Sequence, residues 1–209
     1  MGNRAMELRD ALTQISEIRL QLARTEVFRG YRALPVAFSG FLAVLSALVQ
    51  SAWIAEPLHN LAAYLTLWVG AAVLSAVAAG IEMALRSRAS SSSLAREITW
   101  LAVGQFLPCV VAGGLLTLVL LLCAPESLWM LPGLWQILFS LGIFASHRLL
   151  PRATFGVGIF YLGAGVACLA LARGDMALTP WAMGIPFGLG QLYAAAVLYW
   201  TLERGHVES

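Results

Sequence analysis

Charge is scarce in this chain, and the scarcity decides its class. Only 11% of the 209 residues are charged and 60% are hydrophobic, whereas a soluble domain carries about a quarter charged residues. A water-soluble fold of this composition would lack the polar surface to cover itself. Lysine is missing altogether, all 13 basic residues being arginines; a GC-rich coding bias accounts for that without any arginine-specific chemistry. The net charge is only +2, and no basic run carries interleaved aromatics, which argues against nucleic acid as a partner.

Cysteine is equally sparse. Cys109, Cys123 and Cys168 lie within or beside apolar segments without CxxC spacing, so they read as small core residues and imply neither a metal nor a disulfide framework. No cofactor is expected. HExxH, GxSxG and Walker motifs are absent, as are paired intramembrane carboxylates, so an enzyme is not expected. Glu82, the one acid inside an apolar segment, precedes Arg86 by four residues and reads as a surface ion pair. A secretory signal is also lacking: apolar sequence begins only after residue 34 and no small-residue cleavage site follows a short hydrophobic region.

What is present is apolar sequence in blocks of about twenty residues, the length an α-helix needs to cross roughly 30 Å of hydrocarbon. Six spans are expected, at 35–54, 61–83, 99–123, 129–147, 154–172 and 180–202. The fold class is therefore all-α: a polytopic membrane bundle of six transmembrane helices over residues 34–204, preceded by an amphipathic cytoplasmic or interfacial helix in residues 1–33 and followed by a short tail, 205–209. In that leading helix Leu8, Ala11, Ile15, Ile18 and Leu22 recur at three- and four-residue steps while Arg9, Gln14, Glu17, Arg19, Glu26 and Arg29 mostly fill other faces. The seam is too short to make a coiled coil the leading expectation.

Orientation follows from the arginines, because basic loops stay on the cytoplasmic side during insertion. With the N-terminus inside, Arg4, Arg9, Arg19, Arg24, Arg29, Arg32, Arg86, Arg88, Arg96, Arg148, Arg152 and Arg204 share the cytoplasmic side, and only Arg173 lies across. Both termini are thus expected in the cytoplasm, with Glu56, Glu126 and Asp175 on the far side. Trp53, Trp100, Trp129, Trp181 and Trp200 fall near span ends, where amphipathic rings prefer the headgroup level. Trp68 and Trp135 lie further in and read as packing residues.

Polar groups in hydrocarbon are costly, so each interior one invites a functional reading. Gln50, Gln105, Gln136 and Gln191 stand out, with Tyr64, Tyr161 and Tyr193 as companions. Gln105 lies three residues before Pro108, and a helical proline frees a carbonyl one turn earlier. A kinked helix beside an amide can hold a small polar ligand, and equally can be an ordinary kink with interhelical amide bonds. Gln105, Gln136, Gln191, Tyr161 and Tyr193 are the candidate ligand set. The fourth and sixth spans also share Gly133-Leu134-x-Gln136 and Gly188-Leu189-x-Gln191, each with a preceding proline; paired interruptions of this kind can mark a transporter site, and chance matches of this length are common.

Glycines suggest tight helix packing. Gly184 and Gly188 have GxxxG spacing, and Gly156, Gly158, Gly163 and Gly165 enrich the fifth span, so these two spans are expected to pack closely on each other or on a partner. His147, Arg148 and Arg152 cluster after the fourth span, where they serve either as a positive-inside anchor or as a site for an anionic headgroup.

Ser16-Glu17-Ile18-Arg19, Leu22, Arg24, Phe28 and Arg32, followed by Phe38-Ser39-Gly40-Phe41-Leu42-Ala43, resemble a recurring N-terminal pattern of small uncharacterised bacterial membrane proteins. That resemblance covers about the first fifty residues. It implies a bacterial inner-membrane location and brings no activity or site residue. Size and span number are also similar to substrate-binding components of vitamin transporters, although no binding motif of theirs is matched and the long leading helix departs from them. The function expected is non-enzymatic: association with a membrane or cytoplasmic protein or with another copy, in a regulatory or accessory role, through the arginine-rich N-terminal helix and the glycine faces. The alternative is a small transporter or transporter component whose glutamines line a midplane site.

Overall fold

The computed structural model describes residues 33–54, 56–89, 93–147 and 150–203. The N-terminal amphipathic helix and the C-terminal tail expected from the sequence lie outside the described residues. Those described are helical, without strands, and six helices are long and apolar enough to cross a membrane. They are α1 (Ala33–Trp53), α2 (Leu61–Ala89), α3 (Ser93–Cys123), α4 (Leu131–Ser146), α5 (Thr154–Leu171) and α6 (Pro180–Leu198). The apolar crossings match the sequence-expected spans to within about four residues. An even number of crossings returns the described chain to the end of the bundle where it began.

Prolines mark where helices start. Pro180 opens α6, and Pro132 sits in the first turn of α4, positions where a missing N–H costs no intrahelical bond. Pro125 likewise opens a 3-10 turn, Pro125–Met130, that leads straight into α4. The junction expected to break the chain therefore belongs to the fourth crossing, which spans Pro125–Ser146. A second 3-10 turn, Gly174–Leu178, joins α5 to α6. We call the end carrying these turns, together with Glu56 and Glu126, the acidic end.

In space the helices form the series α2, α1, α6, α5, α4, α3, with the most extensive packing between α1 and α6 and the next between α4 and α5. Glycine explains both. A Cβ added at Gly184 would lie 2.5 Å from Cβ of Ala47, one at Gly188 would lie 2.7 Å from Cγ2 of Val44, and one at Gly40 on the opposing helix would lie 3.2 Å from the Gly188 carbonyl. At the second crossing, a Cβ on Gly133 would meet the Gly165 carbonyl at 2.8 Å and one on Gly165 the Gly133 carbonyl at 2.7 Å. Without side chains at these points the backbones approach until dispersion contacts form along their length. Of the two spans expected to pack on each other or on a partner, the fifth packs chiefly on the fourth and the sixth chiefly on the first, with a smaller contact between the two.

The other extreme is α2 and α3, helices of 29 and 31 residues. In their apolar windows only 11% and 6% of residues are buried, against 44% for the fourth crossing. Although consecutive in sequence, they hardly touch each other. Beyond Trp68 no residue of α2 with a described side chain is buried.

Candidate functional site

Two glutamines link the helices near the acidic end. Gln50 of α1 is fully buried, donates through Nε2 to the Leu178 carbonyl at 2.7 Å and accepts through Oε1 from Nε1 of Trp68 at 2.7 Å. One side chain thereby ties α1, α2 and the turn before α6. Trp68 is a packing residue whose polar tip is satisfied, since a buried indole N–H needs an acceptor to offset its lost hydration. Trp135 behaves alike, donating from Nε1 to Oγ1 of Thr117 at 2.9 Å and so joining α4 to α3.

Gln136 makes the second link. It is fully enclosed and donates from Nε2 to the Ala182 carbonyl at 2.9 Å. That carbonyl is the one Pro186, four residues on inside α6, cannot bond for want of an N–H. The proline gap in one helix is thus filled by an amide from another. The Oε1 atom of Gln136 has no hydrogen-bond partner among the described residues, nor does the buried hydroxyl of Tyr64.

The three glutamines expected to share a site do not meet. The ring of Phe106 lies where a Cβ on Gly142 would project, 2.6 Å from Cε2, which fixes the register of α3 on α4 and puts Gln105 roughly 10 Å from Gln136 along the bundle. Phe106, Phe139, Tyr161 and Phe187 fill the layer between, with Phe139 5.2 Å from Phe106, 4.8 Å from Tyr161 and 5.6 Å from Phe187 between ring centroids. Gln105 is half-buried, its Oε1 enclosed without a partner. Gln191 lies nine residues beyond Ala182, about 14 Å along α6, and packs its Cβ at Gly40 in the α1 crossing. The local similarity of the fourth and sixth spans therefore places its two glutamines in different environments.

The tyrosines divide likewise. Tyr161 is buried in the aromatic layer, its ring seated on Gly190, where a Cβ would come 2.5 Å from Cζ. Tyr193 is 44% exposed and lies across Gly156, where a Cβ would come 2.7 Å from its hydroxyl. Gly163 has open space beyond it and packs against nothing, the crossing being made by Gly165 and Gly158. Gly184 and Gly188 are occupied by α1 and are closed to any outside partner.

At the opposite end, His147 caps α4 and donates from Nδ1 to the Phe144 carbonyl at 2.7 Å. Arg152 is exposed. Arg148 lies outside the described residues, as does the Arg86 side chain expected to pair with Glu82, so no three-residue headgroup cluster can be drawn. Glu56 and His59 form an exposed contact of 3.2 Å. No group of three potential metal ligands occurs among the described residues.

A face that sequence reading overlooked lies on α2. Ala72, Ala76, Gly80 and Ala84 are all exposed and follow one another at four-residue steps. A ridge of Val69, Val73, Val77, Ile81 and Leu85, each 44–62% exposed, runs beside them. No described residue lies within 4 Å of a Cβ at Gly80. The spacing was visible in the sequence; what was not visible was that this helix, unlike α1 and α6, leaves its small residues uncovered.

No protein-family model, curated protein or solved structure matches this chain.

Proposed function

We propose that the protein is a non-enzymatic integral membrane protein that works through lateral association, and that α2 is the associating helix. The observation carrying this reading is the four-rung groove of Ala72, Ala76, Gly80 and Ala84 beside the branched ridge from Val69 to Leu85. Small residues at four-residue steps allow two helix backbones to approach, and the stripe they form winds in the sense of a right-handed crossing near −40°. Groove and ridge on one helix are self-complementary, which suits a two-fold pair in which each ridge enters the other groove. Exposed positions of α3 are dominated by large side chains such as Leu107, Val111, Leu115 and Leu122. The uncovered stripe on α2 differs from them in kind.

Cysteine scanning along α2 in native membranes tests the proposal, with Cys109, Cys123 and Cys168 first replaced by alanine. Disulfide dimers should form through cysteines at 72, 76 and 80 and not at 74 or 78. Cross-linking without that periodicity, or none, would count against α2 as the contact.

A further inference from the structure

The α2 face makes no use of two polar atoms enclosed nearer the acidic end. Gln136 and Tyr64 are each 0% exposed, and Gln136 Oε1 and the Tyr64 hydroxyl both lack a hydrogen-bond partner among the described residues. A buried polar atom left unsatisfied loses its hydration without a replacing hydrogen bond, so two in one region call for a cause. The bundle is capable of satisfying a glutamine fully: Gln50, also at 0% exposure, has both amide atoms engaged. Gln105 Oε1 and Ser146 Oγ are also enclosed without a partner among the described residues, but they lie toward the opposite end of the bundle, whereas Gln136 and Tyr64 both lie near the acidic end.

The two residues converge on the same region. Tyr64 packs in a cluster with Trp68, Leu178 and Met183, against which Trp135 also lies. Trp135 immediately precedes Gln136, and Met183 immediately follows Ala182, whose carbonyl Gln136 engages. Helices α2, α4 and α6 thus contribute a phenol hydroxyl, an amide oxygen and a proline-interrupted helix to neighbouring parts of the same end of the bundle. Interrupted helices beside uncommitted polar groups are how membrane bundles build binding sites within apolar surroundings.

We propose that Gln136 Oε1 and the Tyr64 hydroxyl frame an internal site for a neutral hydrogen-bonding molecule, either water or a small uncharged polar solute. Gln136 Oε1 only accepts, so the molecule must offer it an O–H or N–H, and the Tyr64 hydroxyl can then donate to or accept from the same molecule. Neutrality follows from the surroundings. Within α1, α4, α5 and α6 there is no Asp, Glu or Arg, Glu82 of α2 lies roughly 27 Å along that helix from Tyr64, and among the described side chains of the connections Glu56, Glu126 and Arg173 are exposed. An ion in this region would be desolvated without a counter-charge, which low-dielectric surroundings penalise heavily. Gln136 here acts apart from Gln105 and Gln191, and the site is independent of the association proposed for α2.

Magic-angle-spinning NMR on the full chain in phosphatidylcholine vesicles, with glutamine side chains labelled with nitrogen-15 and only water as the medium, tests this directly. Gln50 is the internal control, since its amide is engaged by protein atoms on both sides. Magnetisation from water protons should reach the Gln136 amide at least about threefold faster than that of Gln50 if the occupant is water. Transfer from carbon-bound protons of a retained molecule would identify an organic solute instead. In either case Tyr64→Phe, which keeps the ring and removes one polar atom, should cut the transfer by about half or more. Transfer to Gln136 no faster than to Gln50 and none from a retained molecule, or transfer indifferent to Tyr64→Phe, overturns the proposal.

Discussion

The bundle contains two small-residue helix faces of similar construction, one occupied and one bare. On α1 and α6, Gly40, Ala43, Ala47, Gly184 and Gly188 bring two backbones together. On α2, Ala72, Ala76, Gly80 and Ala84 repeat the four-residue step, and no helix among the described residues covers them. The comparison shows that glycine and alanine spacing specifies the capacity for close packing but not the partner, because in lipid the driving force is shape fit between helices and not removal of apolar surface from water.

The largest effect should come from overfilling the occupied face. Gly188→Leu forces a branched side chain onto Val44, and upwards of about 3 kcal/mol of destabilisation is expected, visible as loss of folded protein in thermal denaturation in detergent. Gln50→Leu comes next, because it strands the Trp68 indole and the Leu178 carbonyl together; about 1–2 kcal/mol should be lost. Gln136→Leu should cost less, about 0.5–1 kcal/mol, since it strands one protein partner, the Ala182 carbonyl, where Gln50→Leu strands two. Finding the two glutamine variants reversed in order would break the contrast between a satisfied and a deficient amide. Smallest of all, Gly163→Leu should change stability by no more than about 0.5 kcal/mol, because nothing lies near that position.

Much of this architecture was legible in the sequence. Span length and the clustering of apolar residues are dictated by membrane thickness, so six crossings could be placed within a few residues. Which helices touch was not legible. Gly184-xxx-Gly188 announced a close crossing but not that α1 would make it, and glycine enrichment in the fifth span did not separate Gly165, which crosses Gly133, from Gly163, which faces open space. A one-dimensional pattern carries the helix face and leaves the neighbour undefined. The glutamine readings fared similarly. Gln136 meets a proline-freed carbonyl, yet that carbonyl belongs to another span, and the proximity of Gln105 to Pro108 in the chain gave no hint of it. Tyr64, the second half of the buried polar pair, reads from sequence only as a companion because its enclosure is set by Trp68, Leu178 and Met183 from two other segments and its own.

The central claim is that the bare α2 face is an association surface, and single-molecule photobleaching of the fluorescently tagged full chain in dilute liposomes tests it most directly. Two-step bleaching should predominate for the wild-type protein. Gly80→Leu should shift it to single steps, weakening association by at least about tenfold, or ~1.4 kcal/mol, while leaving thermal stability unchanged. Single-step bleaching of the wild type at all protein-to-lipid ratios, or dimers that persist in Gly80→Leu, would contradict the account.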